Sequence, residues 1–245
     1  MGLSDSERIS IICSADFVQS TCVLQRYDVR MWLLQTLVLR HNHLSCERQS
    51  DCAFMTSSEA PALPRLSTLD LADNLLVSSD NQDGVYGVRF LADVFPALVE
   101  LDLTGNRLTS VAVGAFGNLP RLQTLRLSDN PLSDVESGAL DGLTALIKLE
   151  LDRCRRLTHL RAGALAGLYK LRVFSAHDSG LVHLHHAVFT HLSHLEELYL
   201  RNNRLGDQVC IYLLTFSTSF HSLILIHLIA YKINLNLTNS YIFFT

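Results

Sequence analysis

"LVELDLTGNRL" occupies residues 98–108, and "LQTLRLSDNPL" occupies residues 122–132. Both spell L-x-x-L-x-L-x-x-N-x-L, and their starts lie 24 residues apart. Fixed leucines and a fixed asparagine, with free letters between them, mark a repeated structural unit, and the same spelling recurs along the chain. "LQTLVLRHNHL" runs over 34–44, "LSTLDLADNLL" over 66–76 and "LEELYLRNNRL" over 195–205. "LIKLELDRCRRL", 146–157, puts Cys154 at the asparagine place and carries one extra residue. "LRVFSAHDSGL", 171–181, puts Ser179 there. The seven copies place Asn42, Asn74, Asn106, Asn130, Cys154, Ser179 and Asn203 in one column.

The second half of the unit is written as well. Leu108 is followed by Val111, Ala115–Phe116 and Leu119; Leu132 by Val135, Ala139–Leu140 and Leu143; Leu181 by Leu184, Val188–Phe189 and Leu192. The starts at 34, 66 and 98 lie 32 residues apart, so the first two units each hold an insertion, within 45–61 and 77–92.

The spacing has a direct physical meaning. Leu101 and Leu103 are two apart, so on a short strand they point to one side, into the core, and Val99, Asp102 and Thr104 are expected to face out. The asparagine stands where the strand ends and the chain turns, and its amide can pair turn groups that would otherwise be buried without partners. One unit cannot bury its own apolar edge, but units stacked at about 4.8 Å share a continuous core.

This pattern resembles the leucine-rich repeat family, and the 24-residue unit with its "AF" second half resembles the typical extracellular class of animals. The resemblance spans Leu34 to Leu205. It implies an α/β leucine-rich repeat solenoid, curved, with parallel strands on the concave face and an irregular or short-helical convex side. It also implies a non-catalytic protein-binding module, part of a secreted or cell-surface recognition, adhesion or receptor protein that uses the concave face. The chain lacks the Cys-Pro that opens one cysteine cluster of that class.

The free strand letters are then the candidate contact surface. Asp70, Asp73, Glu100 and Asp102 come from neighbouring units with no base among their own free letters, and they read as an acidic patch for a basic or polar protein. Arg126, Glu150, Asp152, His177, Tyr199 and Arg201 continue the face. The insertions read as polar loops, in which Cys46 and Cys52 are close enough to bridge in an oxidising compartment. Cys154, inside the column, reads as a buried, inert thiol.

Composition narrows the alternatives. Apolar residues make up 48%, enough for a substantial core, and a net charge of −4 leaves no overall footprint for nucleic acid. No phosphate loop, nucleophile elbow or paired-histidine zinc motif is present. His159 and His183 hold equivalent places, with Asp134 one unit earlier, but no fourth ligand is placed, so the expectation is no metal, no cofactor and no enzyme. A histidine-based metal hydrolase is the remote alternative. An intracellular scaffold or adaptor using the same face is the nearer one.

The ends read differently. Residues 1–33 form a poorly defined flank without a signal-peptide pattern, so an extracellular or cell-surface location follows from the repeat class alone. The repeats fill 34–208. Residues 209–245 have no glycine, proline or acid. They read as translated non-coding sequence, since their isoleucine, tyrosine, phenylalanine, asparagine and lysine are residues of AT-rich codons. The alternative is a membrane segment over 209–231, followed by Lys232.

Overall fold

The computed structural model describes residues 8–10, 33–45, 63–78, 91, 94–206 and 225–227. Among the described residues there are thirteen short strands: β1 Arg8–Ser10, β2 Thr36–Val38, β3 Thr68–Asp70, β4 Glu100–Asp102, β5 Ser110–Val111, β6 Thr124–Arg126, β7 Asp134–Val135, β8 Lys148–Glu150, β9 His159–Leu160, β10 Val173–Ser175, β11 His183–Leu184, β12 Glu197–Tyr199 and β13 Leu225–His227. Nine of them form one parallel sheet in the order β1-β2-β3-β4-β6-β8-β10-β12-β13. The strands between, β5 with β7 and β9 with β11, make two small parallel pairs on the next side of the coil. Helix is almost absent among the described residues; the convex side is a run of turns with one 3-10 segment, His186–Val188.

Register explains the stacking. Leu37, Leu69, Leu101, Leu125, Leu149, Phe174 and Leu198 stand side by side across the sheet, and all are fully buried. Each buried leucine contributes about 1.5–3 kcal/mol by its removal from water. The second half of the unit closes the core from the convex side through Phe116, Leu140, Leu165 and Phe189. Phe174 takes a leucine place and meets Phe189 edge to face, with ring centroids 6.0 Å apart.

The sheet extends on both sides of the seven repeats. β1 lies in the 1–33 flank and pairs with β2. β13 lies within 209–245 and pairs in parallel with β12, Leu225 beside Glu197 and His227 beside Tyr199. The remainder of those segments lies outside the described residues, as do most of both insertions and Cys46 and Cys52. Among the described residues no helix is long and apolar enough to cross a membrane.

Candidate functional site

The turn column comes first, because it sets where the concave face ends. Asn74 donates through Nδ2 to the carbonyls of Leu71 (2.9 Å), Ala72 (3.2 Å) and, one unit back, Leu39 (2.9 Å). Its Oδ1 accepts the N–H groups of Asn42 and Leu44. Asn106, Asn130 and Asn203 repeat the pattern: each donates within its own turn and to the preceding unit, and each accepts a main-chain N–H from Leu76, Leu108 or Leu181. Only a planar amide offers two donors and an acceptor in so small a volume.

Cys154 and Ser179 fill the column more weakly. The Cys154 thiol lies 3.5 Å from the Leu127 carbonyl and 3.8 Å from that of Asp152. Ser179 Oγ donates to Leu151 and accepts the Cys154 N–H. Burial pushes the Cys154 thiol up to about 12 from its ordinary 9.0. The folded protein therefore holds this thiol protonated. Its stabilising contribution is complete below pH 9.0 and is lost as pH rises through about 12. Cys154 is expected to resist alkylation at pH 8 in the folded chain and to react at the ordinary rate in denaturant. Mass mapping of the modified peptide checks this, and rapid labelling of Cys154 in native protein contradicts it.

The residue before the column has a fixed conformation. His41, Asp73, Asp129, Arg153, Asp178 and Asn202 have φ between 54° and 59°, and Gly105 has φ 68°. This left-handed backbone favours Gly, Asn and Asp, so a letter that reads as free in the sequence is constrained by the turn. His41 and Arg153 are the exceptions in residue type, and the Arg153 guanidinium forks onto Asp129 at 2.7 and 2.5 Å.

On the concave face the outward letters form rows. Asp70, Asp102, Arg126, Glu150, Ser175 and Tyr199 are neighbours in register; Thr68, Glu100, Thr124, Lys148, Val173 and Glu197 form the adjoining row. Ion pairs cross the unit boundaries. Arg40 Nε bonds Asp73 at 2.9 Å, which holds the arginine's proton more tightly than usual. Arg126 Nε lies 3.2 Å from Glu150 in the next unit, and Lys148, on the same strand as Glu150, lies 2.6 Å from that carboxylate. Arg126 is only distantly placed from Glu100 (3.9 Å) and Asp102 (4.0 Å). Bases from the flanking units, Arg40 and Arg126, border the acidic patch, and Asp73 belongs to one of these pairs. Asp70 has no cation at ion-pair distance among the described residues. Asp70 and Asp102 each spend one oxygen on a turn, accepting the N–H of Ala72 (3.0 Å) and Thr104 (2.9 Å). The other oxygen is left for the face.

Further along, Asp152 and His177 are knitted into the scaffold. Asp152 is buried; its Oδ1 accepts from Ser175 Oγ (2.5 Å) and the His177 N–H (3.0 Å). His177 Nε2 stands 3.1 Å from Asp152 Oδ2, and Nδ1 stands 2.6 Å from Asp178 Oδ2. Asn202 donates to the other Asp178 oxygen, and these bonds hold the Asp178 carboxyl below its ordinary range, Asn202 contributing most and His177 next. Sequence spacing marked Asp152 as a free surface letter; its side-chain partners lie in the next unit. Tyr199 donates its hydroxyl to Glu197 at 2.8 Å, and Arg201 is exposed.

The histidine column is formed but does not assemble a site. His159 lies beside His183 in the β9–β11 pair. Asp134 instead holds Arg161 at 3.1 Å. Among the described residues no group of three metal-ligating side chains comes together. Two hydroxyls stand next to imidazoles of chain neighbours, Thr158 at His159 at the start of β9 and Ser193 at His194 on an exposed turn.

Comparison with known proteins agrees with this architecture. A leucine rich repeat family model matches residues 96–155 and 147–205, and a second matches 194–217. The chain is 30% identical to mouse podocan over 182 residues, covering 73% of this chain and 26% of podocan. It is 34% identical to toll-like receptor 9 of the cat over 240 residues, covering 82% of this chain and 22% of the receptor. The chain thus spans about a quarter of the length of these relatives. Among solved structures, that of the Drosophila Toll–Spatzle complex in its glycosylated form superposes with a TM-score of 0.57 at 20% identity, over 73% of this chain and 22% of that one, which is a likeness of fold. With its seven-copy repeat, its turn column of five asparagines, its parallel sheet and these matches, the chain belongs to the leucine-rich repeat family.

Proposed function

We propose that this chain is a protein-binding part of a longer extracellular or cell-surface protein, and that its concave sheet receives a basic segment of a protein partner. The observation that carries the reading is the row Asp70–Asp102 with Glu100, where Glu100 and Asp102 share one arginine held mainly by Glu150 and Asp70 has no cation at ion-pair distance among the described residues. Such a face attracts cations over several ångströms and sets the register of an incoming Lys or Arg side chain. The relatives support the setting: one is named as a receptor, and the Toll structure is a complex with Spatzle. The proposal is one of binding, since the described face offers fixed charges.

The double variant Asp70→Asn/Asp102→Asn tests it cleanly. An amide oxygen still accepts the turn N–H groups of Ala72 and Thr104, so charge is removed and the backbone bonds stay. Partners captured from a panel of purified ectodomains are expected to bind the variant about tenfold more weakly at physiological salt, mostly through slower association. Equal affinity for wild type and variant would remove the acidic row from the interface.

A further inference from the structure

The net charge of −4 conceals a segregation of charge along the solenoid. From Leu34 to Asp152 acids outnumber bases. From Arg153 to Gly206 the only acids are Asp178, Glu196 and Glu197, against eight arginines and lysines. Those three acids are engaged away from the flank that leaves the turn column: Asp178 with His177, Glu197 with Tyr199, and Glu196 with Arg172.

That flank carries Arg155, Arg156, His159, Arg161, His183 and Arg204. All are exposed except His159, which is half-buried. Arg161 pairs with Asp134, which marks the edge of the patch. Arg155, Arg156 and Arg204 have no ion-pair partner among the described residues. Backbone contacts make the patch continuous. The Arg155 carbonyl packs on Gly180, the Val182 N–H donates to Thr158, the Arg204 N–H donates to Leu181, and His159 stands beside His183. Cationic and imidazole groups therefore recur unit by unit, at about 4.8 Å along the axis.

We infer that this flank is a second binding surface, distinct from the concave face, and that its ligand is a sulfated polysaccharide lying along the solenoid axis. A linear polyanion matches charges repeated along one direction, and guanidinium forks fit sulfate and carboxylate groups. Nucleic acid fits less well, because bound single strands need aromatic platforms for their bases. The exposed large apolar residues among those described are Val113 and Tyr169, and neither is in the patch. Tyr169 belongs to the opposite flank, where its carbonyl meets His194.

The test uses the full chain and a heparin oligosaccharide, with binding measured by titration at about 50 to 200 mM salt. Wild type is expected to bind despite its net negative charge. Arg155→Gln/Arg156→Gln/Arg204→Gln is expected to weaken binding at least tenfold and to flatten the salt dependence. Arg121→Gln/Lys170→Gln/Arg172→Gln, which removes equal charge from the opposite flank, is expected to leave affinity within about twofold of wild type, as screening limits distant charges. Thermal unfolding by circular dichroism confirms that both variants remain folded. The proposal is overturned if wild type does not bind heparin, if both triple variants weaken equally, or if a single-stranded DNA of matched charge binds more tightly and loses affinity with the same three arginines.

Discussion

Asn130→Ala is expected to destabilise the fold by about 3–5 kcal/mol, one of the largest losses available to a single side chain here. The amide of Asn130 holds the carbonyls of Leu103 and Leu127 at 2.9 Å each and that of Ser128 at 3.2 Å, and it accepts the Leu108 N–H at 3.0 Å. All of these groups lie at a buried corner where water cannot replace the lost partner. Each orphaned group costs about 1–3 kcal/mol, and the bonds to Leu103 and Leu108 also tie one unit to the next. Asn130→Asp is the sharper variant. It keeps size and shape but turns an acceptor toward three carbonyls, so at neutral pH its loss is expected to equal or exceed that of alanine. Cys154→Ala, at the equivalent place, is expected to cost only about 1–2 kcal/mol, because a thiol is a weak donor and its contacts are long. Urea unfolding of the three variants decides the matter. Equal losses for Asn130→Ala and Cys154→Ala would show that the column contributes shape rather than hydrogen bonds.

The legibility of this molecule follows the same division. The leucine and asparagine columns were readable because repetition isolates what every unit needs, and an apolar spine such as Leu101–Leu125–Leu149 needs nothing but period and alternation. The face was harder to read because its chemistry runs across units, between residues about 24 apart. Asp73 read as part of an open patch, but Arg40, one unit back, holds it. Asp152 read as a free letter, yet Ser175 and His177 bury it from the next unit. The residues before the column read as variable, although a common left-handed turn explains why Asp, Asn and Gly predominate there. A column reading of those positions, rather than of the leucines alone, carries that signal. The segregation of bases onto one flank was also present in the sequence, but a whole-chain net charge averages it away.

The unit with one extra residue yields the second large prediction. Its added length, at Arg155–Arg156, swells the turn after Cys154 toward the following unit, and there the sequence places Gly180. A Cβ on Gly180 would stand 2.3 Å from the Arg155 carbonyl oxygen, 3.0 Å from its carbon and 3.3 Å from the Leu157 oxygen. These are backbone atoms, so no rotamer change relieves the clash, and the two units must separate. Gly180→Ala is therefore expected to cost about 2–4 kcal/mol. Gly206→Ala, where nothing lies within 4 Å, is expected to be near neutral. If the swollen turn is the cause, deleting Arg156 shortens that unit to the length of its neighbours and withdraws the obstructing carbonyl. Gly180→Ala should then be tolerated in the deletion background, with a coupling of at least 1 kcal/mol between the two changes, on the order found for residues in contact. Additive losses in the double variant would mean that Gly180 is required for another reason. A recovered stability would show that the extra residue and the glycine are one adaptation, a lengthened turn and the notch that admits it.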